Sequence, residues 1–593
     1  MTYRAPVNDM LFMMRHVGGL DRALREGSYP DLSLDVIHDI LGEAGRFAGE
    51  VLAPINRTGD RHGAELRDGA ITTAPGFKEA YQAWVAGGWS ALAGPVEYGG
   101  QDLPQLINAG CFEMWNGACL AFGVAPLLTF GGAEAVAAHG SPELKQRYLA
   151  KLVAGEWTAT MNLTEPHAGS DLNAVRTRAE PAGDGSYRIK GQKIFISYGE
   201  HDLTDNIVHL ALARLSDAPK GTRGISLFLV PKVLPDGTRN DVRCSSIEHK
   251  LGIHASPTCT MVFGDGDGAV GWLVGEEHRG LACMFTMMNS ARLAVALQGV
   301  AIAERACQAA VAFAGDRRQG GAPTRNGNGM APIIAHADVR RMLATMRSLT
   351  SAARAICYAT ADAIDRAQRC EKPAERRAAS ERAALLTPVA KAFASDIAVE
   401  VASVGIQVHG GMGFIEETGA AQHLRDARIL PIYEGTNGIQ AIDLVTRKLP
   451  LSGGEAVRRQ IEAMRQIASQ LAQADCMSLQ AAARPIGDAI DSLERATQFM
   501  LGALVAEDFD PALAGASPYL RLFATAQGGA PLGEAALAAD RAMSAGDNDH
   551  AHAGRVQLAR FFADNIAPMA AGLVDVVVGG AASLADAQQM WVE

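Results

Sequence analysis

The pattern of apolar and polar positions divides the chain into stretches of different period. Leu34, Ile37 and Leu41 recur at helical spacing with Ile40 beside them, and Ser33 stands where an N-cap would. Residues 106–119 and 141–154 read as further helices, the second opening on Ser141 as N-cap with Pro142 at the first helical position. Residues from about 33 to 155 are therefore expected to be helical. From 156 to 280 the period changes. Runs at 187–190, 193–197, 206–214, 225–230 and 259–263 alternate or are rich in strand formers, and Asp184-Gly185 and Asp236-Gly237 mark turns. These strands do not alternate with helices, so the pattern predicts a small sandwich or barrel and not a doubly wound sheet.

From 281 the helical period returns. Val339, Met342, Leu343, Met346, Leu349 and Ile356 line one stripe of a long helix. Thr387-Pro388 reads as the cap and start of another, with Val389, Phe393 and Ile397 on one face. Residues 315–332 form a Gly-rich, basic loop between long helices, which should pack as a bundle. Past the linker LPLSGGE, Val457, Ile461, Met464, Ile467 and Leu471 belong to a further helical block. The expected plan is a helical domain over 1–155, a β domain over 156–280, a helical bundle over 281–449 and an additional helical domain over 450–593. In class this is α+β multidomain.

Composition agrees with several cores. A chain of 593 residues is too long for one, and 48% apolar against 20% charged residues can fill them. The 54 basic and 65 acidic residues leave a net charge of −11, which argues against a nucleic-acid binder but leaves room for a small anionic ligand in a local basic pocket. Nine cysteines without a CxxC pair suit free thiols in a reducing compartment. The opening MTYRAPVNDMLFMMRHVGG lacks the apolar core of a signal peptide, and Pro568 and Asp575 interrupt the apolar stretch 567–580. A cytoplasmic protein without membrane insertion is expected.

Four segments carry candidate chemistry. MNLTEPHAGSD (161–171) offers hydroxyls at Thr164 and Ser170 and exposed backbone near Gly169, or is an ordinary capped turn. In KIFISYG (193–199), alternation puts Phe195 and Ser197 on one face, a ring and a hydroxyl suited to a planar heterocycle or a packed core aromatic. GIQVHGGMGF (405–414) has glycines that let a phosphate approach, but it is not GxGxxG and follows a helix, so the dinucleotide fingerprint fails and His409 reads as structural. In RDARILPIYEGTNGIQ (425–440), Pro431 and Gly435 frame a loop presenting Glu434, with a helix resuming after Thr436. Glu434 becomes a base if it is buried against a ligand and stays a solvated acid otherwise.

Taken together, TEP-x-AGSD, GQK-IFIS, GTRGISLFLVPK, Gly-Gly-x-Gly-Phe and IYEGT resemble the acyl-CoA dehydrogenase family in order and spacing over roughly residues 40–448. The resemblance implies an N-terminal helical domain, a central β domain and a C-terminal four-helix bundle. YRAPVNDMLFMM, MMNSARLAVALQG and the block after 450 are similar to a branch of larger members that includes enzymes of 3-methylmercaptopropionyl-CoA.

The reaction implied is FAD-dependent oxidation of an acyl-CoA to the trans-2-enoyl-CoA. Glu434 is then the base that takes the α proton. Its backbone N–H is also a donor to the thioester oxygen. Met161, Thr164, Phe195 and Ser197 are implied around the flavin ring, with Phe195 and Ser197 standing where the family usually has tryptophan and threonine. Arg317, Gln407 and Gly411 match positions at the FAD pyrophosphate of a neighbouring subunit, although Gly320 replaces a usual phenylalanine. Thr436 and Asn437 should face the cofactor, and Ser170, Asn289, Arg292 and Gly435 match CoA-binding positions. The implied partners are an acyl-CoA substrate, an electron-transfer flavoprotein as acceptor and a second copy of the chain, a dimer being favoured over a tetramer. 3-Methylmercaptopropionyl-CoA or a related short acyl-CoA ranks first as substrate, with medium or long acyl-CoAs close behind. An acyl-CoA oxidase or monooxygenase on the same fold, and a non-catalytic CoA-binding protein, are the competing readings.

Overall fold

The computed structural model describes residues 3–321, 330–585 and 587–591. The first helices are α1 (Val7–His16) and α2 (Leu34–Phe47), and Ser33 caps α2 by accepting the Val36 N–H at 3.3 Å. Two apolar helices follow, α3 (Gln105–Ala118) and α4 (Leu120–His139), buried on almost every side as helices without a polar face must be. Ser141 caps the next helical stretch through the Leu144 N–H.

The β domain has eight strands: β1 (Thr158–Asn162), β2 (Arg178–Pro181), β3 (Tyr187–Ser197), β4 (Ile207–Arg214), β5 (Ile225–Pro231), β6 (Val242–Ile247), β7 (Thr258–Phe263) and β8 (Ala269–Val274). Pairing runs β8-β5-β4-β2-β3-β7-β6, β1 lies parallel to β4, and β8 also pairs with β3. The path β8-β5-β4-β2-β3 thus closes on itself and leaves β7 and β6 as an extension. The two runs expected at 187–190 and 193–197 are one strand of 11 residues. β1, β2, β6 and β8 add to the expected runs.

Three long helices form the next layer: α5 (Gly280–Asp316), α6 (Ala337–Arg369) and α7 (Pro373–His409). Thr387-Pro388 does not start a helix, because Pro388 lies inside α7. The missing proline N–H leaves the carbonyl one turn back without its helical partner, and the Thr387 hydroxyl donates to the Ala383 carbonyl beside it at 2.7 Å. Within 315–332, Gly315 and Asp316 still belong to α5 and Arg317 caps it, Arg318–Gly321 pairs antiparallel with Met330–Pro332, and residues 322–329 lie outside the described residues. The helix expected after Thr436 is α8 (Asn437–Asp443). The last block contains α9 (Glu455–Ala472), α10 (Met477–Val505), α11 (Ala516–Ser544) and α12 (Ala551–Asn565).

Buried charge pins the layers together. Arg354 of α6 donates to Glu113 of α3 at 2.7 Å and to Glu304 of α5 at 2.9 Å. Asp9 of α1 accepts from Arg347 of α6 and, at 2.8 Å, from Arg555 of α12, so one carboxylate joins three parts of the chain. By length and composition α4 and α5 could each cross a membrane, but 83% and 56% of their apolar windows are buried inside this fold. Helices α3 to α7 enclose a cavity of about 780 Å³, walled among others by Asn108, Glu134, Asn289, Ser290, Arg292 and Pro388.

Candidate active site

Glu434 stands on a turn between Pro431 and α8. Its φ of +55° and the +84° of Gly435 are two successive left-handed residues, and a Cβ on Gly435 would come within 2.7 Å of the Gln440 amide nitrogen. Gln440 donates to the carbonyl oxygens of Glu434 and Gly435, and the Asn437 N–H closes the turn onto Pro431 O at 3.0 Å. Thr436 caps α8 by accepting the Ile439 N–H, which explains why the helix resumes there. The Glu434 side chain is half-buried and makes no hydrogen bond or ion pair among the described residues, and its N–H likewise has no acceptor among them. Burial pushes the Glu434 carboxyl up to about 7, against the opposing fields of Lys391 and Arg292.

Arg292 is not a helix-end surface group. It lies well inside α5, buried in the cavity wall, with Nη1 3.3 Å from the Asp443 carboxylate and Nε without a partner. Asp443 also holds Arg447 at 2.6 Å. The Arg292 charge is thus shared with Asp443 and Glu434, and it reaches a ligand only from within the cavity. Asn289 is exposed on the same wall. Asn437, expected to face a cofactor, spends its amide on α7: Oδ1 accepts from Lys391, and Nδ2 donates to Asp396 at 2.6 Å and to Ser395 at 3.0 Å.

The second cluster belongs to the β domain. Ile194 donates its N–H to Thr164 O at 2.9 Å, which ties the 161–171 loop to β3. Between Lys193, paired with Met261, and Ile196, paired with Cys259, β3 carries one residue more than β7. Phe195 takes up this bulge with a φ of +60°, a conformation costing an L-residue about 1–2 kcal/mol. The bulge moves the buried face from Lys193 to Ile196 and leaves the Phe195 ring 59% exposed, with half-buried Ser197 on the same side of Ile196. Met161 and Thr164 are also half-buried, and Ser170 is exposed on the loop. An outward aromatic face held in strained backbone beside two hydroxyls fits a flavin ring.

Arg317, Gln407 and Gly411 gather elsewhere. Phe313 of α5 stacks on His409 of α7 at 4.5 Å, so the end of α5 with Arg317 and the end of α7 with Gln407 and Gly411 come to the same end of the bundle. All three are exposed, and His409 is structural, its ring bonded to Gly405 O at 2.7 Å. Lys391, which touches the Glu434 turn, is sixteen residues before Gln407, roughly 24 Å along α7. The two groups therefore do not meet in one chain at one small ligand.

Sequence reasoning missed three polar residues here. Lys391 is a lone cation in the apolar run LLTPVAKAFA, a signal that was present. Asp443 shows an i,i+4 relation to Arg447. Glu134 gave no signal. It takes a hydrogen bond from Ser290 on the cavity wall, and burial pushes its carboxyl up to about 7.

A barrel-like β domain lies between helical layers, and the half-buried Glu434 carboxyl stands on its turn with its proton affinity raised by burial. Comparison with known proteins supplies the class. The N-terminal, middle and C-terminal domain models of acyl-CoA dehydrogenase match residues 38–156, 160–265 and 278–449, and a model described as acetyl-CoA dehydrogenase C-terminal like matches 460–588. The chain is 46% identical over 572 residues to 3-methylmercaptopropionyl-CoA dehydrogenase of Ruegeria pomeroyi, covering 95% of this chain and 96% of that protein. The structure of Caenorhabditis elegans ACDH-11 in complex with C11-CoA superposes with a TM-score of 0.77 at 19% identity, covering 95% of this chain and 91% of that one. That of an acyl-CoA dehydrogenase complexed with FAD from Bacillus anthracis gives 0.74 at 20%, covering 94% and 89%. The chain belongs to the acyl-CoA dehydrogenase family. It is a FAD-dependent oxidoreductase acting on an acyl-CoA thioester.

Proposed function

We propose that Glu434 is the base of this dehydrogenation. The observation that carries it is a carboxyl with no partner among the described residues, its affinity for a proton raised by burial to about 7. Such a group holds a proton tightly enough to take one from carbon and loses it readily near neutral pH. The α C–H bond breaks, its proton goes to a Glu434 carboxylate oxygen, and the electron pair becomes the new α,β double bond. Bound FAD would supply the acceptor for the β hydrogen, which leaves carbon with its electron pair as hydride. The free Glu434 N–H stabilises the charge that builds on the thioester oxygen.

Met161, Thr164, Phe195 and Ser197 hold the flavin ring, and Thr436 keeps its hydroxyl hydrogen for the same ligand. Ser170, Asn289, Arg292 and Gly435 line the path of the CoA arm. Arg317, Gln407 and Gly411 hold the far end of FAD belonging to a second subunit, which makes a homodimer the smallest complete enzyme. Their distance from the Glu434 turn supports this sharing. Electrons leave to an electron-transfer flavoprotein in the cytoplasm. We divide the chain into domains at 1–155, 156–280, 281–449 and 450–593, a division supported by the spans of the four family models, 38–156, 160–265, 278–449 and 460–588.

The substrate is 3-methylmercaptopropionyl-CoA or another short acyl-CoA. The supporting fact is the near full-length relative of that name. Anaerobic mixing of the FAD-loaded enzyme with a panel of sulfur-containing, short, branched and long acyl-CoAs tests both claims. Glu434→Gln should retain FAD and bind acyl-CoA without bleaching the flavin; normal bleaching removes Glu434 from the role. Fastest bleaching by long chains reverses the substrate ranking. Rapid reoxidation by air would mark an oxidase, and a tetramer in light scattering would overturn the dimer.

A further inference from the structure

Among the described residues nothing bonds the Glu434 side chain, so its direction is set by the backbone on either side. On the C-terminal side the Gly435 carbonyl accepts from Gln440 at 3.3 Å and from Lys391 at 2.8 Å. On the N-terminal side Pro431 has no N–H and Ile432 is exposed, which leaves Tyr433 to hold the turn. Its N–H donates to Ile429 O at 3.1 Å, and its hydroxyl donates to Oε1 of Gln298 on α5. Gln298 Nε2 donates to Oδ1 of Asn116 on α3 at 3.1 Å, and Asn116 Nδ2 donates to Phe112 O at 2.8 Å. Gln298 and Asn116 have no solvent exposure. A Cβ on Gly123 of α4 would lie 2.1 Å from Asn116 Oδ1, so the neighbouring helix leaves its space to this amide.

The direction of the chain follows from its far end. A backbone carbonyl only accepts, so Asn116 turns its NH2 to Phe112 O and its oxygen to Gln298. Gln298 then gives its NH2 to Asn116 and its oxygen to Tyr433. The single hydroxyl hydrogen of Tyr433 is thereby committed to α5 and is not offered to the neighbouring Glu434 carboxylate. A buried network with every member bonded selects one arrangement, and losing one member leaves its neighbour unpaired away from water. An apolar contact would cover Tyr433 equally well and leave its ring free to slide.

We propose that Gln298, oriented by Asn116, is a positioning residue of the reaction: through the Tyr433 hydroxyl it fixes the residue before Glu434, and with it the direction of the carboxylate, and it keeps the Tyr433 hydrogen away from the oxygens that receive the substrate's proton. The proposal rests on the reading of Glu434 as the base.

The test uses the FAD-loaded enzyme with 3,3-dimethylbutyryl-CoA, which has α hydrogens and no β hydrogen, so that proton removal is read without oxidation. In D2O the α C–H proton passes to Glu434, exchanges with solvent and is replaced by deuterium, which mass spectrometry counts. Gln298→Met keeps the volume without the hydrogen bonds, and Tyr433→Phe removes only the hydroxyl. Each should slow this exchange, and anaerobic flavin bleaching by an oxidisable acyl-CoA, about tenfold, the scale of a slightly misplaced reacting group. KM and FAD content should stay close to wild type. The double variant should be no slower than the slower single one, because both substitutions break the same chain. Unchanged exchange and bleaching in Tyr433→Phe, or independent losses that multiply in the double variant, overturn the proposal while leaving Glu434 as base. If Gln298→Met does not load FAD, Tyr433→Phe decides alone. Loss of FAD by Tyr433→Phe, or a raised KM with unchanged kcat, assigns the chain to folding or binding, and the proposal also falls. Undiminished exchange in Glu434→Gln removes the base reading instead.

Discussion

Lys193, wholly buried on β3, donates to the Glu165 carboxylate at 2.8 Å, and this pair locks the strand that carries Phe195 to the loop that carries Thr164. Glu165 also accepts from the Thr177 hydroxyl at 2.6 Å and from the N–H groups of Arg176 and Thr177. Burial raises the Glu165 carboxyl, but Lys193 and these donors outweigh it and hold the group below the ordinary range. Lys193→Met leaves that charge without its cation, at a cost of about 3–5 kcal/mol. Calorimetry should show a melting point several degrees lower, and the purified protein should carry less FAD. A depressed carboxyl stabilises above its unfolded pKa and loses that contribution as pH falls through its folded value. The wild-type β domain should accordingly loosen in acid.

The Glu434 carboxyl gives a pH dependence of the opposite kind. With its proton affinity raised to about 7, the base is ionised above that pH and protonated below it. Stopped-flow bleaching under anaerobic, saturating acyl-CoA should rise about tenfold per unit on the acid side and level off above neutrality. A flat profile between pH 5 and 8 would contradict it.

The same shift predicts a stability effect. A carboxyl with a raised folded pKa favours the native state while protonated and loses that contribution as pH climbs from the unfolded value through about 7. Glu434→Gln should therefore melt higher than wild type at pH 8.5, by an amount on the order of 1–3 kcal/mol, and show little gain at pH 4.5. Equal gains at both pH values would contradict it.

Phe195 occupies a left-handed bulge position that glycine takes without strain. Phe195→Gly should leave the apoprotein as stable as wild type, while FAD affinity falls several-fold for a lost stacking partner worth about 1 kcal/mol. Flavin fluorescence titration measures this. Unchanged affinity would take Phe195 out of the cofactor site.

Arg292→Ala should fold, because Asp443 keeps Arg447 at 2.6 Å. KM for acyl-CoA should rise by tenfold or more. Because Arg292 sits inside the cavity wall, the penalty should persist with acyl-pantetheine, which lacks the nucleotide phosphates. A penalty confined to the full CoA thioester would show that Arg292 reads those phosphates.

Much of this was legible locally. The cap at Ser33, the stripe Val457-Ile461-Met464 and the resumption of helix after Thr436 each depend on residues within a turn or two of one another, and each formed as read. The strand face of Phe195 and Ser197 was read correctly, but not the bulge that aims it, since a bulge is set by the partner strand β7. Pro388 sits inside a helix and not at its start, because a proline inside a buried helix is tolerated when packing on both sides outweighs one lost hydrogen bond.

The sequence by itself determined where helix gives way to strand, the motifs that name the family and the glutamate proposed as the base. These are written in short-range spacing. Only the tertiary structure decided what surrounds that glutamate. Lys391 lies 44 residues from the carbonyl it holds, and Arg292 lies 151 residues from Asp443. Periodicity records which face of a helix is apolar, and it carries no information about which buried charge the facing helix will bring. The proton affinity of Glu434 depends on burial and on those distant charges, so it came into being only when the helices packed.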